Sequence, residues 1–200
     1  MKDGLMRMTR LCMFAGAASV AGAAIADSGP KYTFGELAYT RVDYEDFDVD
    51  GDLFGIAGSI AVTDMFHLFA TYDDGELEGD GGGDVDASTV EFGGGINYAL
   101  SDTMDIVGQL AWVSAEFDAG RFGGIDEDGY RVSGGLRAMM TPQFELNGGL
   151  TYVDIEDADD TAIEFGGVYS FTDLFAVTAG ASIGDEVSSF RLGARLYFDL

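Results

Sequence analysis

The feature that most restricts this chain is a two-residue rhythm of apolar and polar side chains that recurs along most of its length. After Thr141-Pro142 the even positions read Phe144, Leu146, Gly148, Leu150 and Tyr152, and the odd ones Glu145, Asn147, Gly149, Thr151 and Val153. Before that turn, Tyr130, Val132, Gly134, Leu136, Ala138 and Met140 alternate with Arg131, Ser133, Gly135 and Arg137. A helix would scatter both sets around its axis, whereas a strand places them on opposite faces. Such runs are separated by four similar stretches, Thr63-Asp-Met-Phe66, Ser101-Asp-Thr-Met104, Thr141-Pro-Gln-Phe144 and Thr172-Asp-Leu-Phe175, at intervals of 38, 40 and 31 residues. Alternating runs joined by brief turns are β-hairpins.

Longer segments link the hairpins, and they hold the acid. Residues 43–52 carry six carboxylates, 73–86 seven, 116–128 five, 154–160 five and 185–186 two. Five such segments and four short turns connect ten strands, expected over 32–43, 52–62, 65–74, 88–100, 104–116, 129–140, 143–154, 161–171, 174–184 and 189–198. Eight strands is the alternative, should one hairpin pack outside or the first pair be misassigned.

The opening MKDGLMRMTR is basic, Leu11–Ala26 is apolar and rich in Ala and Gly, and Ala24-x-Ala26 suits a peptidase, so residues 1–26 are expected to be a cleaved signal peptide. The only cysteine, Cys12, follows Arg10-Leu11 and lies inside that segment, so neither an acyl anchor nor a disulfide is expected. Residues 27–200 make one domain. Of the 10 basic and 36 acidic residues in the full chain, 7 and 35 remain after Ala26, a formal charge of −28. Binding to nucleic acid through its phosphates is excluded. Disorder, the usual fate of such a charge, is opposed by 15 Phe, 9 Tyr and the strict alternation.

Strands of this length match the ~9–11 tilted residues that cross a bilayer. An even strand number, short turns on one side and long loops on the other are features of outer-membrane barrels. A soluble β-sandwich or lipocalin-like barrel also alternates. Against it stand aromatics at the strand ends, among them Phe66, Tyr72, Tyr98, Trp112, Tyr130 and Tyr152, and a second strand face that is polar and charged. The last strand, Arg191-Leu-Gly193-Ala-Arg-Leu196-Tyr-Phe198, resembles the C-terminal targeting signal of Gram-negative outer-membrane barrels, although Asp199-Leu200 follow the aromatic here. Residues 31–200 resemble the small porin-like barrels of that membrane. The resemblance implies a closed antiparallel transmembrane barrel in the cell outer membrane. It also implies contact with outer-membrane lipid and lipopolysaccharide, and insertion by the barrel-assembly machinery through Arg191, Gly193, Leu196 and Phe198.

If the apolar set faces lipid, the lumen receives Glu91, Gln109, Arg131, Arg137, Glu145, Asn147, Glu164, Arg191 and Arg195, with Glu36, His67 and Asp105 beside them. Arginines and carboxylates confined together should pair into a network that fills the interior. A lining that selects ions in a narrow porin for small or cationic solutes is the competing function. Catalytic residues are not expected. His67 is the only histidine and follows a short turn, far from the acidic segments, and no nucleophile motif accompanies it, so an outer-membrane protease or lipid hydrolase is disfavoured.

Asp46-x-Asp48-x-Asp50-Gly51 opens like an EF-hand loop, but position twelve is Ala57 and the flanks are poor helix formers, so that motif fails. Asp46, Asp48 and Asp50, together with Asp80, Asp84 and Asp86 of the next segment, are the candidate ligands for loosely held calcium or magnesium; no other cofactor is expected. The expected function is non-enzymatic, contributing to envelope integrity or to surface interaction with an unidentified partner.

Overall fold

The computed structural model describes residues 29–44, 49–79, 83–118, 120, 124–156 and 158–198. The expected signal peptide therefore lies outside the described residues. Ten strands form one antiparallel sheet: β1 (Phe34–Tyr44), β2 (Val49–Ala61), β3 (Phe66–Gly79), β4 (Gly83–Ser101), β5 (Met104–Asp118), β6 (Gly124–Thr141), β7 (Phe144–Ile155), β8 (Ala158–Ser170), β9 (Phe175–Ile183) and β10 (Val187–Tyr197). Each pairs with its sequence neighbours, and β10 returns to β1 to close the barrel. The closing seam runs from Phe34↔Tyr197 to Tyr44↔Val187 without interruption. Closure leaves no edge strand, which is the condition for a sheet to cross hydrocarbon.

The four short turns share one chemistry, which explains their common sequence. Thr63 Oγ1 accepts the backbone N–H groups of Met65 and Phe66 at 3.2 and 3.1 Å. Thr141 does so for Gln143 and Phe144 at 3.3 and 3.0 Å, and Thr172 for Leu174 and Phe175 at 3.3 and 3.0 Å. Ser101 Oγ accepts from Thr103 at 3.3 Å. A hydroxyl that satisfies turn amides is the reason Ser and Thr lead these stretches. The register shifts at Ala99/Ser101 and Met139/Thr141 fall beside two of these turns.

At the other end, the strands run further than their expected limits. Residues 73–86, read as a loop, are mostly the rising hairpin of β3 and β4, and residues 124–128 belong to β6. Along this extension the two faces exchange character while the parity stays fixed. Outward positions of β3 run Leu68, Ala70 and Tyr72, then Asp74, Glu76 and Glu78; inward positions run His67, Phe69, Thr71 and Asp73, then Gly75 and Leu77. Tyr72, Trp112, Tyr130 and Tyr152 mark the level of the change. Below it, exposed Leu37, Ile56, Leu110, Leu136 and Leu192 cover the outside. Above it, the outside is acidic, and Val42, Leu53, Leu77, Val113, Phe117 and Ile155 are packed inside. The barrel is thus lipid-facing below the tyrosines and a water-facing barrel with an apolar core above them. The expectation of a polar inner face holds for the middle of the barrel; at the short-turn end Phe34, Val168, Ala176 and Tyr197 form a second, smaller apolar cluster inside.

A barrel this narrow accommodates large inward side chains by placing small residues opposite them. At the β6–β7 junction, Gly135 and Gly149 face one another directly. A Cβ on Gly135 would stand 2.5 Å from the Gly148 carbonyl oxygen and 3.0 Å from Gly149 Cα. Because backbone cannot move aside cheaply, Gly135→Val should cost about 1–3 kcal/mol by overpacking. The measurement is urea unfolding of the refolded barrel in detergent micelles, followed by tryptophan fluorescence.

Candidate functional site: the barrel interior and its acidic rim

Inward-facing side chains form three layers. The central one is ionic. Arg131 (β6) places Nε 2.9 Å from Glu91 Oε1 on β4, its Nη2 also donates to that oxygen, and Nη1 donates to Ser133 Oγ at 3.1 Å. Arg191 (β10) donates through Nη1 to Asp73 Oδ1 at 2.9 Å and Thr40 Oγ1 at 3.2 Å, and its Nε lies 3.7 Å from Glu36 Oε1. Arg195 donates through Nε to Glu36 Oε2 at 2.7 Å, and its guanidinium carbon lies 3.9 Å from the Phe34 ring centroid. All of these charged groups are buried. Away from bulk water a guanidinium is tolerable only against a carboxylate, and the planar fork makes several bonds at once. Glu164, on the same inward face of β8, differs: its Oε1 meets no hydrogen-bond donor among the described residues. Two voids beside it, each of about 30 Å³, are the size of a single water.

The layer nearest the short turns is a polar cluster. Arg137 grips Glu145 with both ends of its fork, Nε to Oε1 at 2.8 Å and Nη2 to Oε2 at 3.2 Å. His67 sits between two amides: its Nε2 is 3.1 Å from Gln109 Nε2, and its Nδ1 is 3.5 Å from Asn97 Oδ1. The donors run in one direction. Arg131 donates to Ser133, Ser133 to Gln109 Oε1 at 3.3 Å, Gln109 to His67, His67 to Asn97, and Asn97 Nδ2 to the Asp64 carbonyl at 2.7 Å. The Gln109 amide nitrogen can only donate and the Asn97 amide oxygen can only accept, so His67 receives a hydrogen bond at Nε2 and carries its proton on Nδ1. The third layer is the apolar packing inside the water-facing extension.

Glu91, Arg131, Arg137, Glu145, Glu164, Arg191 and Arg195 all face inward, and among the described residues all but Glu164 are in ion pairs. Glu36, His67, Asp105 and Asn147 are inward and buried, and Gln109 is half-buried. Two buried participants were absent from that set. Asp73 lies where the expected third strand, 65–74, overlaps the acidic segment 73–86, and it holds Arg191; its shared parity with His67 and Thr71 is the signal for an inward position. Tyr32, which bonds Asp105, opens the expected first strand, 32–43, and shares the inward parity of Glu36, although β1 begins only at Phe34; an aromatic there reads as apolar and so is not marked as part of a polar lumen. On β10, Arg191 and Gly193 occupy inward positions and Leu196 faces out, as does Phe198 directly after the strand.

On the rim, Asp46, Asp48 and Asp80 lie outside the described residues. Asp84 is placed in β4. Asp50 and Asp86 project outward, and Asp50 pairs with Arg41. Arg41 also bonds Asp52 at 3.0 Å, and Tyr39 donates to the same Asp52 oxygen at 2.5 Å. Chiefly through the tyrosine bond, Asp52 is held below the usual carboxylate range. Tyr130 and Tyr152 both donate to Asp154, at 3.2 and 3.1 Å, and Tyr72 donates to Asp74 at 3.3 Å. The interfacial tyrosines therefore point their hydroxyls upward into the first acidic row. Higher on the rim, carboxylates stand directly across from one another, Asp52↔Glu76, Glu76↔Asp86 and Asp86↔Asp118. Among the described residues, no three His, Cys, Asp or Glu side chains converge as metal ligands.

A closed antiparallel barrel with a lipid-facing apolar band, an aromatic belt and a polar filled interior is a transmembrane β-barrel of the outer-membrane type. Residues 10–171 match the family model of the outer membrane protein beta-barrel domain, and the chain belongs to that family. Its place is the outer membrane, in contact with lipid and lipopolysaccharide, with the short turns on the periplasmic side. No curated protein matches the chain. Among solved structures, an outer membrane channel from Pseudomonas putida aligns at 11% identity and a TM-score of 0.51, covering 92% of this chain and 98% of that one. The outer membrane protein OprG from Pseudomonas aeruginosa aligns at 12% and 0.47, covering 91% and 100%, and a KdgM porin at 11% and 0.48, covering 82% and 99%. At these identities the likeness is one of fold.

The central layer yields a quantitative expectation. Glu91→Leu leaves Arg131 buried without its counter-ion and should cost about 3–5 kcal/mol, whereas the double variant Glu91→Leu/Arg131→Met should recover most of that loss. A double-mutant cycle by urea unfolding in detergent checks both figures.

Proposed function

We propose that this barrel is non-enzymatic and non-conducting, and that it serves envelope integrity and surface interaction through its acidic outer rim. The observation that supports this most is the apolar packing in the outer part of the lumen, where Val42, Tyr44, Leu77, Ala115 and Ile155 are no more than 1% exposed. A hydrated ion does not cross a packed apolar layer, and below it paired arginines and carboxylates occupy the centre of the barrel. The enzyme reading lacks support for a geometric reason: His67 is buried at the periplasmic end, and its ring nitrogens are engaged with amides.

The acidic rim gives the exterior its chemistry. Rows of directly opposed carboxylates raise the local negative potential, which repels anionic solutes and gathers cations. Diffuse calcium or magnesium shared between these carboxylates and lipopolysaccharide phosphates would relieve that repulsion without a defined site. Insertion by the barrel-assembly machinery would use the β10 segment, Arg191 to Phe198, whose apolar outward face carries Leu196 and Phe198.

Planar-bilayer recording of the purified barrel should give no steady unitary current. A Leu53→Ser/Leu77→Ser/Phe117→Ser variant, which wets the outer packing, should give measurable conductance if it refolds. Steady currents from the unaltered protein would instead make it a narrow porin. Calorimetric titration with millimolar calcium should give a shallow, non-saturating heat; a flat trace together with unchanged loop proteolysis removes the cation role.

A further inference from the structure

Tyr32 stands ahead of β1 in a segment, residues 29–33, that belongs to no strand, yet the residue is only 6% exposed. Side-chain contacts hold the ring there, beside one backbone bond at Thr33 that continues the β1–β10 ladder. Its hydroxyl donates to Asp105 Oδ2 of β5 at 2.7 Å. Its ring stacks on the His67 imidazole of β3, with centroids 4.8 Å apart and planes 24° from parallel. The Arg137 guanidinium carbon of β6 lies 4.4 Å from the ring centroid, and Arg137 Nη2 reaches the Lys31 carbonyl at 3.4 Å. Thr33 completes the fastening: its Oγ1 accepts from Ala61 N at 3.0 Å and its carbonyl from Phe198 N at 3.2 Å.

The receptor for this ring belongs to the wall, independent of the segment that fills it. Gln109 and Asn97 orient His67, and the two-point bond to Glu145 fixes Arg137. Asp105 is 6% exposed, and the phenol hydroxyl gives its buried carboxylate a donor. A flat π surface, a cation beside the ring and a buried acceptor for one hydroxyl are together the recognition elements for a phenol. Around this position, residues 29–33 and the turns at Ala61–Met65 and Ala99–Asp102 line a concavity of about 1010 Å³ on the periplasmic side. A ligand therefore has a route to the ring site once the segment moves.

We propose that His67, Asp105 and Arg137 form a phenol-binding pocket in the periplasmic mouth, filled in cis by Tyr32, so that the N-terminal segment is a lid which a phenolic ligand replaces. The lid closes the polar cluster from below, as the apolar packing closes the lumen from above. Its existence does not depend on whether the outer end conducts.

His67 is the chain's only histidine, which makes it a unique reporter. In the folded barrel in micelles, diethyl pyrocarbonate should modify His67 slowly. Tyr32→Ala should raise that rate by about tenfold or more, the weight of one or two lost contacts of this kind. Millimolar p-cresol should restore protection in Tyr32→Ala and leave the unaltered protein unchanged, while Tyr32→Phe, which keeps the ring, should show intermediate protection. Heat-dependent gel mobility verifies that each variant is folded. Should Tyr32→Ala fail that check, Asp105→Asn in the otherwise intact chain serves instead, with the rate expected to rise as the phenol loses its charged acceptor. Equal rates for the folded variant and the unaltered protein overturn the lid, and a raised rate that p-cresol does not lower overturns the phenol site.

Discussion

The structure depends on one constraint: each strand crosses from hydrocarbon into water while its side-chain parity stays fixed. In lipid the outward residue must be apolar, and the inward one is free to be polar provided it finds a partner. In water the requirement reverses. Without a bulge to exchange the faces, the sequence itself must invert, and on β3 it does so between Tyr72 and Asp74 outside and between Asp73 and Leu77 inside. The tyrosines at this level suit both media, with rings towards lipid and hydroxyls bonded to carboxylates above.

The ionic layer follows from the lower half of that rule. Four arginines inside a narrow cylinder are costly to desolvate, and each is met by a carboxylate from another strand: Glu91, Glu145, Asp73 and Glu36. Pairs that join β4 to β6 or β3 to β10 bind strands that are not sheet neighbours. They brace the cylinder through its interior, over one or two intervening strands, which hydrogen bonds between sheet neighbours cannot do. The residue cost of such bracing is visible in the wall, where Gly135 and Gly149 meet at the junction of β6 and β7.

Much of this was legible in the sequence because alternation is a geometric signal. Ten strands, four turns and the inward set from Glu91 to Arg195 all follow from parity and turn spacing. The same signal, read as loop wherever acid became dense, concealed the extension of β3 to Gly79 and of β4 to Gly83, because a water-facing strand with acid outside and glycine or valine inside looks like a solvated loop. Asp73 was lost in the same way. Tyr32 was hidden for another reason: its parity places it inside with Glu36, but a tyrosine at a strand end reads equally as a lipid-interface residue, and its partners His67, Asp105 and Arg137 lie on three different strands.

The seam between the first and last strands brings the two ends of the barrel together and so permits the chain to be rewired. Thr33 and Phe198 are hydrogen-bonded neighbours at the periplasmic rim, so the two ends of the folded barrel emerge side by side. A short flexible tether between them would span only a few ångströms, and fresh ends could be opened at any of the three other periplasmic hairpins led by threonine. Topologically the cylinder has no privileged first staves; the place where synthesis starts is a convention of the gene rather than a demand of the architecture.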